Sequence, residues 1–303
     1  MNRFFSRIIY LLLFLLTPCL LPGALEIELT AGLNNMAFNP DRVTAHGEDA
    51  DSGEFEGFQF IYGDLRLTGD ISDKMGFKVH AARDNILQNS LSGKVTANTG
   101  NINVEFGSFI GISDDLEKPD AGITGGIELL YPGIVSLSLN GSSSLGVQNE
   151  FMSNNSRETA EIKLGFWLPH LIPVISAGTK SFTRQPEDSA VIRDELIRLQ
   201  FSVDIFAKNI PVTVRIDAGY EIFTRSYKNG NSGTDDKLTA IFAGFETKWQ
   251  ITKPLRIIAG FEMPVYCKAE EPMKDPESIF SLYKFHGGIA YTFFPLPTVY
   301  PPK

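Results

Sequence analysis

Hydrophobic and polar positions alternate along this chain with a period of two, most cleanly between Glu195 and Cys267. Ile197, Leu199, Phe201, Val203 and Ile205 interleave with Arg198, Gln200, Ser202 and Asp204. After a turn at Lys208-Asn209-Ile210, Val212, Val214, Ile216, Ala218, Tyr220 and Ile222 share one face, and Thr213, Arg215, Asp217, Gly219, Glu221 and Arg225 the other. Successive side chains of an extended strand point to opposite sides, so each run is a long strand with one apolar and one charged face; a helix needs spacings of three and four. A second hairpin repeats the pattern: Ile241, Ala243, Phe245, Trp249 and Ile251, then Leu255, Ile257, Ala259, Phe261, Met263 and Val265, set against Glu246, Lys248, Arg256 and Glu262. Strands in sandwiches average about 5–6 residues. Runs of ten or more with this alternation predict an antiparallel transmembrane β-barrel.

The rest of the chain extends the prediction. Leu25 to Leu33 is a strand, followed by a polar, acidic loop from Asn34 to Glu56. Further strands are predicted at Phe58–Thr68, Phe77–Ala82, Leu91–Ala97, Ile102–Gly111, Ile127–Tyr131, Val135–Leu139, Ile162–Phe166, Val174–Phe182 and Ile279–Phe293. That amounts to about fourteen strands, an even number as such barrels require. Short turns are expected at 69–74, 98–101, 132–133, 169–173, 208–210 and 252–254. They alternate with mostly longer segments at 34–56, 84–90, 112–121, 142–157, 184–194, 228–236 and 268–278. Short turns on one rim and longer loops on the other are the plan of an up-and-down barrel, with the turns periplasmic, and they place both chain ends on the turn side, where the first strand can pair with the last. Tyr131, Trp249, Tyr291 and Phe293 fall near the turn rim, and Phe182, Tyr220 and Tyr266 near the loops, as interfacial aromatic girdles require. Strict alternation puts Phe182 and Tyr266 on the inner face, and Pro264 inside a closed sheet calls for a bulge or a strand end.

The N-terminus adds a destination. Arg3 and Arg7 precede an apolar run from Ile8 to Leu16, with small residues at Gly23 and Ala24, so residues 1–24 read as a secretory signal peptide. Pro18 directly before Cys19 argues against lipidation there. Residues 25–293 form the barrel and 294–303 a proline-rich tail. No later segment reaches the ~18–20 apolar residues of a membrane helix. With the leader go Arg3 and Arg7, leaving 25 basic against 36 acidic side chains, a net −11 that disfavours nucleic acid as a partner. Cys267 is then the one cysteine left, so neither an intramolecular disulfide nor a cysteine metal site is expected.

The terminal strand, ending Tyr291-Thr292-Phe293, resembles the last strands of Gram-negative outer-membrane proteins. That resemblance implies recognition by the barrel-assembly machinery, although Phe294 to Lys303 follow the aromatic here. Gly165-Phe166-Trp167-Leu168-Pro169 and Gly260-Phe261-Glu262-Met263-Pro264-Val265-Tyr266 resemble segments of uncharacterised spirochaetal barrels. Fatty-acid channels are similar in strand number alone, since Leu25 already begins a strand where they carry a hatch.

The candidate chemistry lies on the inner face. Arg198, Asp204, Arg215, Asp217, Glu221, Arg225, Glu246, Lys248, Arg256 and Glu262 are the expected lumen lining, joined by Lys163, Lys180, Glu105 and Glu128. Mixed charge rings suit a passive channel selective among small polar solutes, whereas a narrow barrel would pair the same charges with one another. The alternative function is a non-conducting surface barrel, an adhesin or scaffold acting through acidic loops. A soluble exported β-sandwich is a third reading. His80 and His286 face inward, but a barrel hydrolase needs histidine beside a carboxylate or serine at one rim, and alternation alone supplies His286 with no partner. Asp49, Asp51, Glu54 and Glu56 lack the ligand spacing of a calcium loop. The chain is therefore expected to be no enzyme and to need no cofactor or metal; its partners are outer-membrane lipid and, during insertion, the assembly machinery.

Overall fold

The structure, a computed structural model, describes residues 24–35, 60–113, 118–146, 155–185, 191–206, 210–229, 232–270 and 282–293. The segments expected to be a leader (to Gly23), an acidic loop (from Met36), most of a turn (208–210) and a C-terminal tail (from 294) lie outside these residues.

Fourteen strands form one closed antiparallel barrel. They are β1 (Leu25–Asn34), β2 (Phe60–Ser72), β3 (Met75–Asp84), β4 (Gln88–Asn98), β5 (Ile102–Ile112), β6 (Asp120–Tyr131), β7 (Val135–Ser144), β8 (Ser156–Phe166), β9 (Leu171–Arg184), β10 (Val191–Phe206), β11 (Val212–Asn229), β12 (Ser232–Gln250), β13 (Leu255–Glu270) and β14 (Lys284–Phe293). Each strand pairs with the next in sequence. β1 then closes on β14 in an unbroken register from Leu25 opposite Phe293 to Asn34 opposite Lys284, leaving no open edge. One continuous closed sheet replaces the two packed sheets that a sandwich requires.

The alternation works because the two faces meet different surroundings. Ile197, Leu199, Phe201, Ile216, Phe245, Ile257 and Ile289 stand exposed on the outside, while their polar neighbours turn into the barrel. Tyr131, Trp167, Trp249 and Tyr291 form an exposed aromatic belt at the turn rim, and Tyr220 and Tyr266 stand outside nearer the loops. The turns use the expected chemistry. Gly100 takes φ +91° while its N–H donates to Asn98 Oδ1 at 2.7 Å, and Gly133 takes φ +73° between β6 and β7.

Several expectations change. The 228–236 segment is not a loop: β11 runs to Asn229 and β12 begins at Ser232, so these strands reach 18 and 19 residues. Above the apolar band the outer positions Thr224, Lys228, Lys237 and Lys268 are polar, so the two-sided signal fades although the strands continue. The 84–90 loop shrinks to a turn at Asn85–Leu87, and the 142–157 loop loses both ends to β7 and β8. β9 begins at Leu171 instead of after Pro173. Finally, the β12–β13 register shifts, pairing Ile241 with Tyr266 but Phe242 with Pro264. This bulge accommodates the proline, which has no N–H for the ladder, and turns Tyr266 outward against strict alternation. Phe182, by contrast, does point inward and is fully buried.

Candidate functional site: a charged lumen closed at one end

The wall from β10 to β14 carries most of the charged residues singled out from the sequence. Arg198 donates to Glu221 Oε1 at 2.5 Å and to Glu262 Oε2 at 2.6 Å, with its guanidinium 4.0 Å from the Phe242 ring centre. These groups meet because Arg198 sits opposite Glu221 in the β10–β11 register, and Glu262 lies two strands on, on the same inner face. Toward the turns, Arg215 forks onto both oxygens of Asp204 at 2.7 and 2.9 Å, and Gln200 donates to Asp217 at 2.8 Å. Glu246 lies 3.3 Å from Lys248 and 2.9 Å from the Nε2 of His286. Arg256 reaches Glu26 of β1 at 2.6 Å, tying three neighbouring strands at the seam. Arg225 stands apart from this set, deeper toward the loop rim.

The facing wall is built alike. Asp64 bridges Arg66 and His80, and Lys78 and Lys94 share the carboxylate of Glu105. Each inward histidine thus has a carboxylate partner that alternation alone did not supply. Among the described residues neither has a nucleophile placed against its ring: Ser92, beside His80, donates to the His80 backbone carbonyl at 3.5 Å.

Exposure divides the lumen. Near the turn rim and mid-barrel the side chains of Arg66, Lys78 and Lys163 remain 56, 46 and 47% accessible. At the loop rim Arg157, Asp120, Arg184, Asp194 and Arg225 fall to 3% or less. Arg157 pairs with Asp120 at 3.0 Å, and Phe182 lies within 4.3 and 5.3 Å of the Arg157 and Arg184 guanidinium carbons. Sequence reasoning missed this layer because most of its residues sit in stretches read as loops.

Among the described residues, the Asn85–Leu87 turn narrows the lumen at this end. Asp84 Oδ1 accepts the N–H groups of Ile86 and Leu87 at 2.9 and 2.5 Å, and Gln88 takes φ +56°, so the hairpin tip is tightly bent. It leans into the barrel. Ile86 is buried among Phe223, Leu238, Ala240, Cys267, Ala269 and Leu282, most of them on β11–β13 at the far side of the strand order. Lys180 of β9 reaches Asp84 Oδ2 at 2.8 Å, and Arg157 Nη1 donates to the carbonyls of Leu87 and Asn89 at 2.5 and 2.8 Å. Burying Ile86 contributes about 1.5–3 kcal/mol. The Lys180–Asp84 pair, its side chains still 44 and 24% exposed, contributes roughly 0–1 kcal/mol. Beneath the turn lies a cavity of about 630 Å³, lined by residues including Tyr62, Lys78, Glu161, Arg198 and Lys284.

No family model and no curated protein matches this chain. Among solved structures, an outer membrane channel from Pseudomonas putida F1 superposes with a TM-score of 0.50 at 9% identity, over 90% of this chain and 96% of that one. OmpT, an outer membrane protein of Vibrio cholerae, shares 11% identity at a TM-score of 0.42, over 89% of this chain and 96% of that one. A porin refined at 1.8 Å shares 9% at a TM-score of 0.42, over 89% of this chain and 99% of that one. The fold is that of the outer-membrane β-barrels. At these identities the likeness is one of architecture.

Proposed function

We propose that this chain is an integral outer-membrane barrel that passively admits small polar solutes through its lumen. The observation that carries this reading is the charged, part-solvated cavity between the two walls, with apolar side chains on the outside and ionic ones within. In this reading the turn rim is periplasmic, and selectivity comes from Arg198, Asp204, Arg215, Asp217, Glu221, Arg225, Glu246, Lys248, Arg256 and Glu262, whose paired charges set the field a solute crosses. Membrane lipid and the assembly machinery are the partners such a barrel requires, and catalysis is no part of the reading.

The test is conductance of purified, folded protein in planar bilayers. Discrete openings above background are expected; their absence at every voltage, also after removal of the Asn85–Leu87 turn, removes the channel. The buried charged layer at the loop rim favours one second reading, a non-conducting surface barrel acting as adhesin or scaffold through its outer loops. Loss of surface attachment on loop deletion, with conductance absent throughout, would select it.

A further inference from the structure

We infer that the Asn85–Leu87 turn is the gate of the lumen, swinging out to open it; this rests on the channel reading. Three features of the turn support a movable element. Its apolar anchor is small: Ile86, seated against the β11–β13 wall, with the partly buried Leu87 packed beside it. One tether across the lumen is Lys180 to Asp84, a part-solvated ion pair at 2.8 Å that water can replace. Its two ends belong to one hairpin, β3–β4, which stays in register from Asp84 opposite Gln88 down to Met75 opposite Ala97. The tip can therefore leave the lumen without any strand unpairing.

The surrounding layer has the opposite character. At the rim Asp120 with Arg157 ties β6 to β8, and Asp194 with Arg184 and Arg225 ties β9, β10 and β11, all with side chains 3% exposed or less; the Phe182 ring lies between the Arg157 and Arg184 guanidiniums. That layer is a rigid collar. Arg157 serves both parts, because it grips Asp120 on the collar and the Leu87 and Asn89 carbonyls of the turn. Those two bonds are the latch between the fixed and the moving part.

Cys267 supplies an internal reporter. It lies in the same apolar cluster as Ile86 and is buried, so its thiol is shielded while the turn is seated and reachable once the turn leaves. Opening a population-limited gate raises both readouts together, since each reads the same displaced state.

The experiment uses the full mature barrel in planar bilayers and in vesicles, with a charged, membrane-impermeant thiosulfonate as the thiol probe. Folding is checked by heat-modifiable gel mobility. Ile86→Ser and, as a milder variant, Lys180→Met are each expected to raise open probability at least 10-fold and to speed Cys267 labelling by a similar factor; Cys267→Ser abolishes labelling. The gate is overturned if folded variants match the unaltered protein in both readouts, which makes the turn a permanent plug. It is also overturned if the unaltered protein conducts continuously while Cys267 stays protected, because solute then passes without moving the turn. In that last case the channel reading survives, whereas silence of every variant removes both.

Discussion

Asp194 on β10 is gripped by Arg225 on β11 through both carboxylate oxygens, Nε to Oδ1 at 2.5 Å and Nη2 to Oδ2 at 2.8 Å. Arg184 of β9 adds a third contact at 2.7 Å, so one carboxylate holds three adjacent strands at the loop rim. All three side chains are withdrawn from water. Removing one partner leaves buried guanidinium groups short of their counter-charge, which costs about 3–5 kcal/mol. Asp194→Ala is expected to lose that much, read as a lower urea midpoint for refolded protein in detergent micelles.

The outer face gives a contrasting expectation. Ile216 and Phe245 face each other across β11 and β12 and are about half exposed to the outside. Ile216→Arg or Phe245→Arg should cost about 2–4 kcal/mol in a bilayer, as charge at the lipid midplane does. Thr68→Lys, on the cavity wall, should fall within ±0.5 kcal/mol as an ordinary solvated substitution does. Equilibrium unfolding from lipid vesicles measures the difference, and equal costs on the two faces would contradict the register.

Gly260 lies where a methyl group would run into the imidazole of His286, which in turn meets Glu246. Gly260→Ala is expected to push the ring aside and cost about 1–3 kcal/mol by overpacking. Adding His286→Ala should recover most of that loss. A double-mutant cycle reads the coupling; simple additivity would place the strain elsewhere.

Trp167 and Trp249 are both exposed on the outside at the turn rim. Their fluorescence should be quenched most by lipids brominated near the headgroups and least by lipids brominated at the chain ends. An aqueous quencher such as iodide should have little effect on Trp249. The reverse ranking would remove these side chains from the interface.

Strand pairs with one apolar face were legible because lipid on one side and water on the other impose the same period on every residue. The β10–β11 and β12–β13 hairpins are the clearest cases, as is the β1–β14 seam. Alternation stopped informing where the outside changed from lipid to water: Lys228 and Lys237 are polar on the outer face, yet Tyr227 and Leu238 inside keep the strands going. The bulge at Pro264 could be anticipated from the missing N–H, but its reversal of Tyr266 could not, since that depends on which side gains the extra residue. Among the lumen charges, those spaced two apart on long strands, such as Arg215 and Asp217, were visible. The pairs spanning the barrel, Lys180 with Asp84 above all, were not, because closure alone brings their strands to face each other.

The junction of Leu25 with Phe293 makes the whole enclosure depend on β14, the last strand in chain order. Until β14 arrives, thirteen strands have two raw margins and nowhere to hide them. A chain cut before Lys284 therefore keeps two unpaired sheet margins, the feature that invites a foreign strand.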